Sequence, residues 1–169
     1  MDNYRFILKD PLYAKALLNT AKFTLFSIGL IIPLGFLLAH FIRRCVPKLQ
    51  PILTFCLLLP GITPPAVLAI LFLLFFHGDQ GILNRLLVLP LGFQPIDWMQ
   101  NPKFIMISLI LQSVWRWTGL IAFFFLCGMD ALPKAYNEMA KVEGSDSWRT
   151  LFHVTLPLVS HIIIFAIIF

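Results

Sequence analysis

Three apolar stretches, at about 20–42, 52–76 and 104–129, are each long enough to cross a hydrocarbon core that takes about 20 helical residues. Few folds are open to such a chain. Within lipid each backbone N–H and C=O has to be satisfied by the chain itself, and helices packed as a bundle achieve this. The composition agrees, with 59% hydrophobic and only 12% charged residues, far from the balance of a soluble domain. A fourth apolar run, 158–169, spans only about 18 Å at ~1.5 Å per residue, short of the ~30 Å core. The expectation is an all-α polytopic transmembrane bundle, cut off within its fourth span.

Charge and motif content exclude several functions. The net charge of +5 comes from basic residues scattered over spans and loops, not from a basic stripe interleaved with aromatics, so anionic lipid headgroups fit better than nucleic acid. Cys45, Cys56 and Cys127 have no C-x-x-C spacing and read as small apolar residues. His40, His77, His153 and His161 stand at no metal-ligand spacing, and the phosphate loop G-x-x-x-x-G-K-[ST] is absent. The first twenty residues carry Asp2, Arg5, Lys9, Asp10 and Lys15 without an apolar core or small-residue cleavage site, so they do not read as a secretory signal.

Within the spans, two features are unusual. The run Leu59-Pro60-Gly61-Ile62-Thr63-Pro64-Pro65 removes backbone donors in mid-span, and such breaks persist at membrane depth where they are buried in protein or face a wet cavity. Pro60 therefore marks either a translocation path or a kinked packing helix. Arg116 sits midway along the third span between Trp115 and Trp117, with Gln112 one turn earlier. A charge there costs about 2.5–3.5 kcal/mol on insertion scales, so it has to face protein or water. It is either a solute-pathway residue or a structural arginine satisfied by Gln112 and carbonyls. The indoles are either packing groups or faces for a sugar ring. Gly29, Pro33 and Gly35 in the first span suit close helix packing. In the loop from His77 to Lys103, the stretch 86–93 is too short to span and suits the membrane interface, with Trp98 as a headgroup-level anchor.

Between the third and fourth spans lies the polar stretch 133–157. Pro133 suits the first turn of a helix and Gly144 a left-handed helix end, giving a short helix over about 133–143. Ser145 or Asp146 can cap a second helix carrying Trp148, Leu151 and Phe152 on neighbouring faces. Two helices joined at a glycine turn are expected.

This stretch resembles the EAA loop of ABC-importer permeases, roughly E-A-A-x-x-D-G-A followed by an aromatic and I-T-L-P. Glu138, Ala140, Gly144, Phe152, Thr155, Leu156 and Pro157 match at the family's spacing, while Met139, Glu143 and Ser145 depart from it with similar size or charge. Weaker matches run along the chain: Asn19-Thr20, Leu38-Ala39, Pro60, Gly81-x-x-Asn84-x-x-Leu87, Trp115 and Leu132-Pro133. The resemblance is to the sugar-permease branch, with a permease for an amino acid, phosphate or other anion, or a membrane scaffold that transports nothing, as the alternatives. It implies a type I importer permease core in a bacterial or archaeal cytoplasmic membrane, itself no enzyme. Its implied partners are an ABC ATPase dimer that binds ATP, a second permease subunit and an extracytoplasmic solute-binding protein.

From the same resemblance follow the roles of the loop: Glu138 as a charge contact to the ATPase, Ala140 and Glu143 in the same coupling helix, and Gly144 as the turn. Trp148 and Phe152 become packing anchors in or beneath the ATPase cleft, and Pro157 closes the motif. Family members also carry a helix ahead of the equivalent of Asn19-Thr20, so the chain is expected to be a fragment unable to transport alone, with residues 1–22 outside. Charge counting is nearly neutral on orientation, because Arg43, Arg44 and Lys48 favour one assignment while Arg5, Lys9, Lys15 and Lys22 oppose it.

Overall fold

A computed structural model of the chain describes residues 6–7, 9–78, 80–133 and 147–168, the side chains of Ser147 and Trp148 excepted. Its regular elements are helical: α1 (Pro11–Arg44), α2 (Gln50–Ile62), α3 (Pro65–Phe75), α4 (Ile105–Ala131) and α5 (Ser160–Ile168). Two π-helical turns, Asn84–Val88 and Leu151–Thr155, stand between them. By length and apolarity α1 and α4 can each cross a membrane, whereas α2 with α3, and the pieces from Leu151 to Ile168, can do so only as bent pairs.

Helix α1 starts well before residue 20, where the apolar run begins. Asp10 is the reason: its side-chain Oδ1 accepts the Leu12 N–H at 2.8 Å, and its carbonyl accepts from Tyr13 and Ala14. Pro11 fills the first helical position, where no donor is needed. The segment expected to precede the span is thus its first three turns. At the other end Gln50 Nε2 donates to the carbonyls of Arg43 at 3.2 Å and Cys45 at 3.1 Å, so one side chain closes α1 and opens α2.

The expected single span over 52–76 is two helices, bent by 95° across a short break. Pro60 lies inside α2, and the break comes at Thr63 and Pro64. Pro64 adopts φ −56° and ψ 139°, the extended conformation that a following proline imposes, and Pro65 then starts α3. The consecutive prolines, rather than Pro60, break the helix.

The chain divides into two compact units, one of residues 1–30 with 63–114 and the other of 31–62 with 115–169. In the first, the rings of Phe72 and Phe76 stack at 5.5 Å, and Trp98 packs between Phe76 and Phe104 at 6.1 and 5.6 Å. Leu68 and Phe76 are buried there. In the second, α1 and α4 meet at Gly35, where a Cβ would stand 2.9 Å from Ile121 Cγ2. Phe36 and Phe125 fill the next layer edge to face at 5.4 Å. On α4, a Cβ at Gly119 would overlap the Leu57 carbonyl, so the α2 and α4 backbones touch, as small residues allow between membrane helices. Gly35 thus packs as expected. Gly29 has open space around it among the described residues.

Large apolar side chains such as Leu25, Ile70 and Leu74 are more than 60% exposed. Water would not tolerate so many, and lipid or partner helices are their natural surroundings.

Candidate functional site

The polar stretch is described from Ser147 onward; Glu138, Ala140, Glu143 and Gly144 lie outside the described residues. From Ser147 the chain makes one α turn to Thr150, a π turn over Leu151–Thr155 and a further α turn over Leu156–Leu158, then bends by 59° into α5. Pro157 explains the π turn. A proline at that position cannot donate to the residue 153 carbonyl, and its ring crowds that oxygen. Widening the helix by one residue just before it, with the Leu156 N–H bonded to the Leu151 carbonyl, accommodates the ring without ending the helix. Val159, at φ −97° and ψ 14°, then makes the bend.

This segment is anchored on its apolar side. Leu151, Thr155 and Val159 are buried. The Phe152 ring is half exposed and tilts against Phe36 at 6.3 Å, which itself meets Phe125. Further on, the Ile162 side chain covers Gly128 of α4, where a Cβ would overlap it. Residues 147–158 therefore belong to the same compact unit as the second part of α1, all of α2 and the second part of α4. Phe152 is where the sequence placed an anchor, whereas Leu151, Thr155 and Val159 carry most of the burial. Their spacing of four residues was the available signal. The expected ordinary second helix is a π-widened one.

Arg116 lies in α4 of this unit. Its guanidinium stands 5.0 Å from the Trp117 ring centroid, a cation–π distance. Its Nε is buried without a hydrogen-bond partner among the described residues, so Gln112 does not serve that atom. The Arg116 carbonyl is 3.7 Å from where a Gly61 Cβ would stand, placing the arginine turn beside the last turn of α2, which also holds Pro60. Trp115, on the next face, is half exposed.

Two polar contacts were not legible as such in the sequence. Arg43 Nε pairs with Asp130 Oδ1 at 3.1 Å, tying the C-terminal ends of α1 and α4. In the first unit, fully buried Asn84 donates its amide to the carbonyls of His77, Gly78 and Ile96. The Asn84 Oδ1 accepts from the Ile96 N–H at 3.2 Å and the Trp98 indole at 2.9 Å. Gly81 has no room for a side chain against the His77 carbonyl. The spacing Gly81-x-x-Asn84 is thus a backbone staple. Trp98, expected as a headgroup anchor, has its N–H engaged inside the protein instead.

Comparison with known proteins gives this geometry a family. The sequence model described as "Binding-protein-dependent transport system inner membrane component" matches residues 31–169. The arabinooligosaccharides transport system permease protein AraP of Bacillus subtilis is 31% identical over 167 residues, 99% of this chain and 53% of that protein. The sulfoquinovosyl glycerol transport system permease protein SmoG of Agrobacterium fabrum is 29% identical, over 99% of this chain and 54% of that protein. The chain thus spans about half the length of these relatives. Among solved structures, a bacterial alginate ABC transporter in complex with an alginate pentasaccharide-bound periplasmic protein superposes with a TM-score of 0.87 at 21% identity, covering 96% of this chain and 57% of that one. With the fold and the sequence in agreement over nearly its whole length, the chain belongs to the family of inner membrane components of binding-protein-dependent transport systems.

Proposed function

We propose that the chain forms the core of a permease subunit that imports a sugar or sugar-like solute across the cytoplasmic membrane by alternating access. A separate ATPase dimer drives it, a second permease completes the path, and an extracytoplasmic binding protein delivers the solute. The observation that carries this reading is the packing of residues 147–158 into one compact unit with the second parts of α1 and α4. A displacement of the polar stretch by an ATPase is thereby passed to helices through buried side chains, since packed interiors transmit strain. Glu138, Ala140, Glu143 and Gly144 form the ATPase-facing part in this reading, with Trp148 and Phe152 as packing anchors in or beneath the ATPase cleft. In this reading the loop from His77 to Lys103 faces outward and the polar stretch faces the cytoplasm. Relatives that carry arabinooligosaccharides and lactose support a sugar as the solute.

The test is Glu138→Lys in the full-length permease reconstituted with its partners. A reversed charge turns attraction to a basic partner surface into repulsion, so solute-stimulated ATP hydrolysis is lost while the protein remains in the membrane. Stimulation equal to wild type contradicts the reading.

Arg116 favours a second reading, an anionic solute. Its Nε is buried without a hydrogen-bond partner among the described residues, and relatives named for sulfoquinovosyl glycerol and sn-glycerol 3-phosphate carry acidic solutes. Here Arg116, with Trp115, Gln112 and Pro60 around it, contacts the solute. Arg116→Leu then raises KM for an anionic solute at unchanged expression, whereas a structural arginine gives unchanged kinetics and lower thermal stability.

A further inference from the structure

The loop between α3 and α4, with the end of α3, forms a half-open pocket of about 260 Å³, lined by Phe76, His77, Pro95, Asp97, Met99 and Gln100 among others. Arg116, Trp115, Gln112 and Pro60 do not line it. Its walls are fixed before any ligand arrives. One wall is the backbone at His77 and Gly78 and the other the segment around Ile96 and Trp98, and the buried Asn84 amide is bonded to both. Ser108 reinforces the second wall by donating to the Trp98 carbonyl at 3.1 Å. Gly78 lies directly against Asp97, where a Cβ would be 3.6 Å from the carboxyl carbon, so the carboxylate stands at the junction of the two walls. Such preorganisation is what a weak polar ligand needs, because little ordering is left to be done on binding.

The lining selects for chemistry. Asp97 is the one formal charge among its described residues. Its Oδ1 accepts the Gln100 N–H at 3.2 Å, leaving further acceptor capacity on the carboxylate. His77 Nδ1 accepts the Gln80 N–H at 3.4 Å, which in the neutral ring puts the proton on Nε2 and makes that atom a donor. Gln100 adds an amide able to donate and accept. Phe76, Pro95 and Met99 supply apolar surface. Donors, acceptors and an apolar wall together match a ring bearing hydroxyls on its edge and C–H bonds on its faces. No basic group lines the pocket among the described residues, so an anion would meet only the repulsion of Asp97. The volume lies below the ~300–1,000 Å³ of pockets that hold drug-sized ligands, enough for one ring of an oligosaccharide with the rest left outside.

We propose that this pocket is a subsite for a single neutral hydroxylated sugar ring, with Asp97 and Gln100 binding its hydroxyls and His77 donating to them. The proposal rests on the reading of the chain as a sugar permease with this loop outside, and deepens it by placing a solute contact on the loop. The full-length permease, assembled with its partner subunits in lipid nanodiscs, is probed with lactose, arabinotriose and, as a cationic control, L-arginine amide, by saturation-transfer NMR and by uptake.

The expected result is saturation transfer to lactose or arabinotriose that falls about tenfold in Asp97→Ala, on the scale of losing a hydrogen bond to a charged group. It should fall less in Asp97→Asn, which keeps the Gln100 contact. Met99→Trp, which fills the pocket away from the Asn84 bonds, should also remove it, and uptake should show a raised KM at nearly unchanged kcat. If one of these sugars is transported with identical KM in wild type, Asp97→Ala and Met99→Trp, the subsite is wrong and the permease reading stands. Preferential binding of arginine amide makes the pocket a socket for a basic side chain of a partner protein and overturns the proposal. A complex that neither binds nor transports either sugar overturns both the subsite and the sugar reading.

Discussion

The two π-helical turns, Asn84–Val88 and Leu151–Thr155, run into the same dipeptide and are used in opposite ways. Each is followed directly by Leu-Pro, at Leu89-Pro90 and Leu156-Pro157. In each the residue after the turn bonds five residues back, Leu89 to Asn84 and Leu156 to Leu151, which makes room for the proline ring. After the first, the chain leaves the helix and turns at Gly92, whose φ of 80° suits glycine. After the second, it continues into α5 because Val159, Ile162 and Ala166 have apolar surface to bury. The first turn is held by polar bonds to one buried asparagine, the second by apolar contacts. Hydrogen bonds have fixed directions and break when their partners move, so they suit a loop that must keep its shape. Apolar contacts are non-directional and can move with a neighbouring subunit while still transmitting its displacement.

The largest expected effect comes from removing the polar staple. Asn84→Ala leaves the Ile96 N–H and the Trp98 indole N–H without their acceptor and three carbonyls without their donor, at about 1–3 kcal/mol for each buried group left unsatisfied. Proteolysis within 77–100 of the full-length permease should accelerate strongly, and equal cleavage of wild type and variant would break the contrast. Leu151→Ala follows, with a loss of about 2–5 kcal/mol for a fully buried leucine, read as a lowered melting temperature of the complex. Phe152→Ala should cost less in stability, because the ring is half exposed, while still weakening transport.

How much of this was legible in the sequence depended on which physics spoke locally. Apolar length announced α1 and α4 because about 20 residues are needed to cross a bilayer whatever the neighbours are. The break between α2 and α3 was visible in the proline run, but its site at Pro64 rather than Pro60 depends on consecutive prolines excluding the helical conformation before the second. The early start of α1 was written in Asp10-Pro11 and hidden by the polarity of the residues that follow. Asn84 could be matched to a motif, but its role could not be read, since its five partners lie six to fourteen residues away. Arg116 was found by its cost in the membrane, and its buried Nε has no hydrogen-bond partner among the described residues.

Two smaller effects sharpen the comparison. Pro157→Ala restores a donor and should let the π turn relax to an ordinary α-helix, shifting the face presented by Phe152. Transport should fall with little change in melting temperature, whereas Pro90→Ala, where the helix ends anyway, should change neither. Smallest of all, Asp130→Asn breaks an ion pair whose carboxylate is 59% exposed. Such pairs are worth about 0–1 kcal/mol, so the melting temperature should barely move, in contrast to Asn84→Ala.

The central claim is that residues 147–158 transmit motion through Leu151, Phe152 and Phe36, while the Asn84 loop holds still. The ratio of solute transported to ATP hydrolysed, measured with the full-length permease and its partners in proteoliposomes, tests this most directly. In the double variant Phe36→Ala with Phe152→Ala, hydrolysis should continue while uptake per ATP falls at least several-fold. In Asn84→Ala, whatever protein survives assembly should keep the wild-type ratio. An unchanged ratio in the double variant, or a collapse of the ratio in Asn84→Ala alone, would contradict the account.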